Sequence, residues 1–223
     1  LSLHDALPIS ITQRRFITMD APAVPELKQL VQAMNATVTR LKSMFDEEAG
    51  RLESVRREAN CDALTGLANR NFFLASLRET AMAEHSTGGA VFMVRLANLA
   101  LVNQRLGRQA TDDLLQSFSQ ALSTMAEDHP DALAARLNGA DFALLVPALG
   151  RLQPLADQLL QSLTQVANAF LPGQVSTWMG AGQFPRGISV ETILSQVDGA
   201  LAAAEGGRRR YARQAGEDRP HVE

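Results

Sequence analysis

The dipeptide Asn138–Gly139 lies between two apolar runs, Ala-Leu-Ala-Ala-Arg-Leu before it and Phe-Ala-Leu-Leu-Val-Pro after it. Asn-Gly between such runs is the strongest short-range signal for a β-hairpin, because both residues tolerate the positive φ that two-residue turns need. The sequence therefore predicts a tight reversal at Asn138–Gly139 between two antiparallel strands.

Apolar runs on both sides of this hairpin predict further helices and strands. Residues 90–94 are typical of a buried strand, and a helix after them is predicted to end near Leu106 with Gly107 as its C-cap. A second helix is predicted from Thr111, its N-cap, to Met125. A helix at 151–170, a strand at 175–182 and a helix at 190–205 complete the pattern. This order predicts an α+β fold, in which a sheet with one hairpin carries flanking helices.

The composition excludes some functions and leaves others open. The net charge of -3 gives no reason to expect nucleic acid as a partner. The one cysteine, Cys61, excludes an internal disulfide, and the four histidines show no metal-ligand spacing. No stretch approaches the roughly 18 apolar residues that a membrane-spanning helix needs. The chain as given is therefore expected to be soluble.

A repeat of apolar residues at alternating spacings of four and three extends from Leu27 to Ala59, and Glu48 alone breaks it. The apolar positions are Leu27, Val31, Met34, Val38, Leu41, Phe45, Leu52, Val55 and Ala59. A spacing of about 3.5 keeps one apolar stripe facing a partner helix, so this segment predicts a coiled coil and a homodimer through residues 27–59. Glu48 and Gly50 weaken its middle, which suits a signalling helix that changes register as well as it suits loose packing. The alternative is one amphipathic helix that packs on its own domain.

The two ends of the chain lie outside the predicted helices and strands. Residues 1–10 have neither the basic region nor the apolar region of a signal peptide. They resemble the translation of a sequencing adapter, so we predict that they are a non-native leader and that the natural protein begins further upstream. Residues 214–223 are predicted to be a C-terminal tail.

The segment 60–73 ends the heptads and opens a new helix. Gly66 breaks the helical pattern and Asn69 can cap the next helix, so the segment is predicted to be a hinge. Its pattern Asp-x-Leu-Thr-Gly-Leu-x-Asn-Arg-x-x-Phe resembles the entry signature of GGDEF domains, the fold of diguanylate cyclases. The matching residues are Asp62, Leu64, Thr65, Gly66, Leu67, Asn69, Arg70 and Phe73.

The resemblance implies a domain organisation. Residues 60–213 are expected to form a GGDEF domain with a nucleotidyl-cyclase-like sheet. Residues 25–35 are similar to the second helix of a HAMP relay domain, so residues 11–59 are expected to combine that helix with a signalling coiled coil.

The residues that would hold metal ions differ from the family pattern. A cyclase holds the triphosphate of GTP with metal ions, which need hard carboxylate ligands. The resemblance places one carboxylate at the end of the first long strand, where this chain has Arg95. The family turn aligns with Asn138, Gly139, Ala140, Asp141 and Phe142, so Ala140 replaces a metal-binding acid and Asp141 is a shortened second acid. A guanidinium cannot ligate a cation, so we expect no bound metal and no intact catalytic residue.

Other positions also lack the residues with which the family binds phosphate and the inhibitory product. Ala100 and Glu205 stand where the family has phosphate-contacting lysines. The inhibitory product site of many members, an Arg-x-x-Asp, aligns with His129 and Ala132. We therefore expect neither tight triphosphate binding nor this inhibitory site.

A remnant of the nucleotide site is predicted at three positions. Asn103 and Asp112 match the family positions that contact guanine, and Arg209 matches a phosphate-contacting arginine. An Asn and Asp pair is chemically able to recognise the guanine edge. The alternative is that Asn103 and Asp112 are retained as ordinary helix-end residues.

The resemblance predicts a degenerate GGDEF domain that acts as a signal relay and dimerisation module without a cofactor. The arrangement is similar to LapD-type c-di-GMP receptors and GGDEF–EAL proteins, so the full-length protein is expected to have upstream membrane helices, a downstream EAL-type domain and a place on the cytoplasmic side of the inner membrane. One alternative is an active diguanylate cyclase that uses Mg²⁺ and GTP. Another is a GTP-sensing module that binds through Asn103 and Asp112 without turnover.

Overall fold

The computed structural model describes residues 25–207 and 211–213 of the chain. The predicted leader at 1–10, the predicted tail at 214–223 and Arg209 lie outside the described residues. The chain divides between Ala59 and Asn60 into two units, and each is described by itself.

The first unit contains one long helix, α1, which extends over Pro25–Asn60. Proline suits the first turn of a helix, because its missing N–H would have no partner there. The helix continues through Glu48 and Gly50. Phe45, Leu52 and Val55 are 49%, 62% and 56% exposed. The predicted helix is confirmed, and dimerisation through its apolar stripe stays a prediction.

The second unit is built on a six-stranded sheet in the order β1-β3-β4-β2-β5-β6. The strands are β1 (Ala68–Asn69), β2 (Gly89–Ala97), β3 (Leu133–Arg136), β4 (Asp141–Pro147), β5 (Ser176–Phe184) and β6 (Tyr211–Arg213). Strands β3, β4, β2 and β5 pair antiparallel, whereas the edge strands β1 and β6 pair parallel to β3 and β5. The predicted α+β sheet is confirmed. The two edge strands were missed, because segments of two or three residues carry no readable period.

Four helices cover the two faces of this sheet. They are α2 (Arg70–Met82), α3 (Leu99–Glu127), α4 (Leu152–Phe170) and α5 (Val190–Gly206). The core under α3 and α4 contains Phe92, Val94 and Leu96 of β2, whereas the core under α2 and α5 contains Val91. Side chains alternate across a strand, so Arg95 lies on the face covered by α2 and α5. Asn69 caps α2, as predicted, by accepting a hydrogen bond of 3.0 Å from the Phe72 N–H.

Helix α3 is kinked at Gly107, where φ is 84° and ψ is 174°. This conformation favours glycine, so the predicted break at Gly107 is confirmed. The predicted N-cap at Thr111 was wrong. Gly107 alone has non-helical dihedrals within α3, and the Thr111 hydroxyl donates to the Gly107 carbonyl at 3.1 Å from inside the second half of the helix.

The hairpin between β3 and β4 reverses at Asn138–Gly139 as predicted, but its turn is longer than the predicted two residues. Strand β3 ends at Arg136 and β4 begins at Asp141. Asn138 and Gly139 are not among the described residues with positive φ. The Asn138 Oδ1 instead accepts from the backbone N–H groups of Ala140 and Asp141 at 3.2 Å and 3.1 Å. A side chain therefore organises the turn in place of a left-handed backbone.

Candidate functional site

Arg95, Asp141 and Glu205 meet at the end of the sheet beside the hairpin, and we call them the Arg95 cluster. Arg95 of β2 and Asp141 of β4 are register partners on adjacent strands. Two parallel hydrogen bonds join them, from Nε to Oδ1 at 2.6 Å and from Nη2 to Oδ2 at 3.0 Å. The remaining nitrogen, Nη1, donates to both oxygens of Glu205 at 3.1 Å and 3.2 Å. One guanidinium thus joins carboxylates from β4 and α5.

The electrostatics of the Arg95 cluster favour the charged forms of Arg95 and Asp141. The hydrogen bond to Asp141, followed by the charges of Asp141 and Glu205, raises the pKa of Arg95 above its ordinary value. Burial alone would raise the pKa of Asp141, which is 8% exposed. Hydrogen bonds from Arg95 and Asn138, together with the Arg95 charge, outweigh that burial, so the pKa of Asp141 is lowered. Both carboxylate oxygens of Asp141 therefore already accept hydrogen bonds from donors within the domain.

These residues do not fit a magnesium site. Both oxygens of Asp141 already accept hydrogen bonds, Oδ2 from Asn138 Nδ2 at 2.7 Å as well as from Arg95. Ala140 has no ligand atom, and a cation at this place would have to displace the Arg95 guanidinium. Over the described ranges, no group of three or more His, Cys, Asp or Glu side chains converges on a common point. The donor set is that of an ion pair and is unsuited to a divalent cation.

Arg136 supports the turn from the end of β3, and sequence reasoning missed its role. Its Nε and Nη2 donate to the carbonyls of Asn138 and Gly139 at 3.1 Å and 2.9 Å. Its Nη1 donates to Asp62 Oδ1 at 3.0 Å, and the same oxygen accepts from the Thr65 hydroxyl at 2.7 Å. Burial raises the pKa of Asp62, but the Thr65 and Arg136 hydrogen bonds outweigh it and the pKa is lowered. An arginine directly before the turn was the available signal.

In the described part of the chain, no hydrogen bond or ion pair joins Asn103 or Asp112 of the predicted nucleotide remnant to the Arg95 cluster. Asn103 and Asp112 lie on α3, on either side of the Gly107 kink, and α3 covers the opposite face of the sheet from Arg95. Asn103 is exposed, and Asp112 Oδ2 lies 3.8 Å from Nε of Arg108, a side chain that is 92% exposed. Asn103 is therefore accessible to solvent, and Asp112 is partly exposed and forms a weak ion pair.

The remaining predicted positions carry no phosphate-binding group. Ala100 is exposed in the first turn of α3, and Glu205 forms an ion pair with Arg95. His129 and Ala132 line a cleft of ≈440 Å³, with His129 Nδ1 3.3 Å from the Met125 carbonyl oxygen. Neither residue supplies the arginine or the carboxylate of the inhibitory site. No helix among the described residues combines the length and the apolar character that crossing a membrane requires.

Comparison with known proteins gives consistent matches. Residues 59–210 match the family model described as diguanylate cyclase, GGDEF domain. The RNase E specificity factor CsrD of Escherichia coli (strain K12) is 30% identical over 170 residues, which is 72% of this chain and 26% of that protein. The diguanylate cyclase TpbB of Pseudomonas aeruginosa (strain UCBPP-PA14) is 32% identical over 132 residues, 56% of this chain and 29% of that protein. The chain thus spans less than a third of these relatives.

Solved structures resemble the chain at lower sequence identity. The coiled coil and GGDEF domain of DgcB from Caulobacter crescentus, in complex with c-di-GMP, matches with a TM-score of 0.64 at 23% identity over 82% of this chain and 100% of that one. The apo S helix-GGDEF-EAL structure of Vibrio cholerae LapD matches with a TM-score of 0.66 at 20% identity, over 81% of this chain and 42% of that one. At these identities the similarity concerns the fold alone.

Proposed function

Because the chain belongs to the GGDEF domain family of diguanylate cyclases, we propose that it is a relay and dimerisation module of a c-di-GMP signalling protein and does not form the cyclic dinucleotide. The observation that carries the proposal is the Arg95 guanidinium, which is bound to Asp141 and Glu205 at the place where the family resemblance puts a metal ligand.

The chemistry of cyclisation explains why this arrangement opposes turnover. Joining two GTP molecules requires metal ions on the triphosphate and activation of a 3'-hydroxyl. Arg95 cannot ligate a divalent cation and stands in the place of an expected carboxylate, and Ala140 supplies no ligand. Asp141 has a lowered pKa, which makes its carboxylate a weaker base, and both of its oxygens are engaged. No residue of the 138–142 turn is left to perform either task.

The changed phosphate positions weaken ground-state binding as well. A charge-assisted contact to phosphate contributes about 1.5–3 kcal/mol. Ala100 and Glu205 remove two such contacts, which corresponds to roughly 10²–10⁴-fold in affinity. Glu205 also brings a negative charge towards the triphosphate, although Arg95 neutralises part of it.

The relatives include a protein that is named for a function other than cyclisation. CsrD, which matches over 72% of this chain, is named as an RNase E specificity factor and not as a cyclase. Other relatives, such as TpbB, are named diguanylate cyclases, so the fold serves both kinds of protein. The residues at the turn of this chain favour a protein that does not form c-di-GMP.

We extend the proposal to the assembly. Phe45, Leu52 and Val55 present apolar side chains that are about half exposed on α1, and a second copy of the helix would cover them. The LapD structure joins an S helix, a GGDEF domain and an EAL domain. By analogy, the full-length protein has membrane helices upstream and an EAL-type domain downstream, and it lies on the cytoplasmic side of the inner membrane.

Incubation of the purified chain with GTP and Mg²⁺, followed by chromatography of the nucleotides, tests the proposal. We expect no c-di-GMP, while an active diguanylate cyclase assayed in parallel forms it. Formation of c-di-GMP by the purified chain would establish the active cyclase instead.

A second candidate is a GTP sensor without turnover, which is favoured by the exposure of Asn103 and the weak pairing of Asp112. Isothermal calorimetry with GTP separates it from a pure relay. The relay predicts no heat of binding and no GTP-induced rise in the melting temperature. Heat of binding without product would identify the sensor, and replacement of Asn103 by Ala would then abolish it.

A further inference from the structure

The last turn of α5 carries a negative charge where a helix favours a positive one. Glu205 lies one residue before the end of the helix at Gly206, and no basic residue lies in that turn. The carbonyl end of a helix is negative, so a carboxylate there is unfavourable unless a cation is close. Arg95 supplies that cation from β2, with Nη1 within 3.2 Å of both Glu205 oxygens. The helix end is thus stabilised by a residue near the end of β2, an interior strand of the sheet.

The other edge of the same guanidinium is hydrogen-bonded to the hairpin. Nε and Nη2 bind Asp141, and Asp141 also accepts from Asn138 within the turn. Displacement of Asp141 therefore moves or releases Arg95. Because Nη1 is part of the same rigid, planar group, its bonds to Glu205 cannot stay in place when Arg95 rotates. The Arg95 cluster mechanically couples the turn to α5.

Apolar packing does not fill the space between the turn and α5. A cleft of ≈280 Å³ lies there, and its walls include Asn138 and Asp141 on one side and Leu194, Ser195 and Asp198 of α5 on the other. Arg70 and Arg95 are the basic residues that line it. The ion pair therefore joins the turn to α5 beside this cleft, while Leu201 and Ala204 in the last turns of α5 are buried.

The two residues directly after Glu205 have no side chains to anchor them. They are Gly206 and Gly207, and glycine loses more conformational freedom on ordering than other residues. Strand β6 has three residues that pair with Met179–Ala181 of β5. A bond to Glu205 therefore acts at the end of α5, next to the buried Leu201 and Ala204, and close in sequence to β6.

We propose that Arg95 is an electrostatic latch that ties the 138–142 turn to the last turn of α5, so that releasing the turn frees the end of α5 and β6. The proposal rests on the relay function, since it supplies a route from the turn to the last elements of the domain. Side chains of Arg95 and Glu205 are 35% and 32% exposed, so added salt screens their bond and loosens the latch.

Hydrogen–deuterium exchange of the whole chain, measured by mass spectrometry, tests the latch. We compare wild type, Arg95→Ala, Glu205→Gln and the double variant, with Arg108→Ala as a control that removes an exposed arginine from a weak ion pair. Both single variants should accelerate exchange in peptides covering 200–213 by about tenfold or more, with α4 unchanged. The double variant should exchange no faster than Arg95→Ala, because the two changes break one bond.

Two outcomes would overturn the latch. One is an exchange rate in peptides 200–213 that neither single variant changes more than Arg108→Ala does. The other is acceleration spread evenly over the domain, which indicates general destabilisation. If Arg95→Ala does not fold, Glu205→Gln decides alone, because it keeps the size of a partly exposed side chain. Formation of c-di-GMP would refute the relay without altering the exchange result, so the two proposals fail separately.

Discussion

Arg95 and Asp141 face each other across β2 and β4, and two parallel hydrogen bonds of 2.6 Å and 3.0 Å join their side chains. The same guanidinium binds Glu205. Relative to the family pattern, a cation replaces an acid at residue 95 and an acid replaces a cation at residue 205. The two changes therefore satisfy each other, and an internal ion pair occupies the place where the family resemblance puts a metal ligand.

Replacing Arg95 by Ala should destabilise the domain by about 1–3 kcal/mol, because Asp141 keeps its burial and loses its charged donor. For a domain of this size the melting temperature should fall by about 2–10 °C. Trp178, the only tryptophan, is the register partner of Arg95 on β5 and reports unfolding by its fluorescence. Arg108→Ala is the control, and its exposed pair should contribute less than about 0.5 kcal/mol. Equal losses in both variants would contradict the importance of the cluster.

The pKa of Asp141 gives the domain a defined dependence on acid. Its folded pKa is lowered, so it contributes stability above the unfolded value near 4, and that contribution is lost as the pH falls through the folded pKa. Urea unfolding between about pH 5 and pH 2 should therefore show a shallower loss of stability for Asp141→Asn than for wild type. Asp46→Asn, a change at an exposed residue of α1, serves as the control. Identical slopes in wild type and Asp141→Asn would refute the assignment.

The geometry of the turn predicts that Gly139 is replaceable. Gly139 does not have positive φ, and an added Cβ would meet no atom within 4 Å. Gly139→Ala should therefore be neutral or stabilise by up to about 1 kcal/mol. Gly107→Ala is the matched contrast, because its φ of +84° should make the same change cost about 1–2 kcal/mol. A two-residue turn with positive φ at Gly139 would instead make both variants costly, which thermal unfolding would show.

The dimer prediction is tested by single cysteines along α1 in a Cys61→Ala background. Cysteines at Phe45, Leu52 and Val55, on the apolar stripe, should form disulfide-linked dimers on mild oxidation. A cysteine at Lys42, off the stripe, should crosslink far less. Uniform absence of crosslinks, together with a monomeric mass in concentrated solution, would refute dimerisation through residues 27–59.

Local signals in the sequence identified most of the fold. Asn69 as a cap, Gly107 as a break and the continuous apolar run of β2 are each decided within a few residues, so they could be predicted. The turn was predicted in place but not in detail, because the bonds of Asn138 to Ala140 and Asp141 depend on how the side chain folds back. An Asn-Gly pair is compatible both with a turn held by hydrogen bonds of the Asn side chain and with a turn of left-handed backbone. The sequence therefore does not distinguish the two kinds of turn.

The candidate site could be predicted only in part. Comparison with the family pattern identified Arg95, Ala140 and Glu205 as substitutions and treated each as a separate loss. The bond between Arg95 and Glu205 joins residues 110 positions apart and depends on how α5 packs over the sheet. Nothing local to either residue indicates it. The bond from Arg136 to Asp62 was missed for the same reason, since 74 positions separate the two residues, whereas its bonds to the turn are local and the arginine before the turn was a signal for them.

Titration of the wild-type chain with Mn²⁺ and GTP, followed by electron paramagnetic resonance of the free ion, tests most directly whether the Arg95 cluster has closed the site. Mn²⁺ stands in for Mg²⁺ because oxygen ligands hold both ions. We expect the free Mn²⁺ signal of a Mn²⁺–GTP mixture to stay unchanged when the chain is added at any accessible concentration, and we expect the same for Arg95→Lys, which keeps the positive charge. One Mn²⁺ bound per chain in a GTP-dependent manner would contradict this expectation.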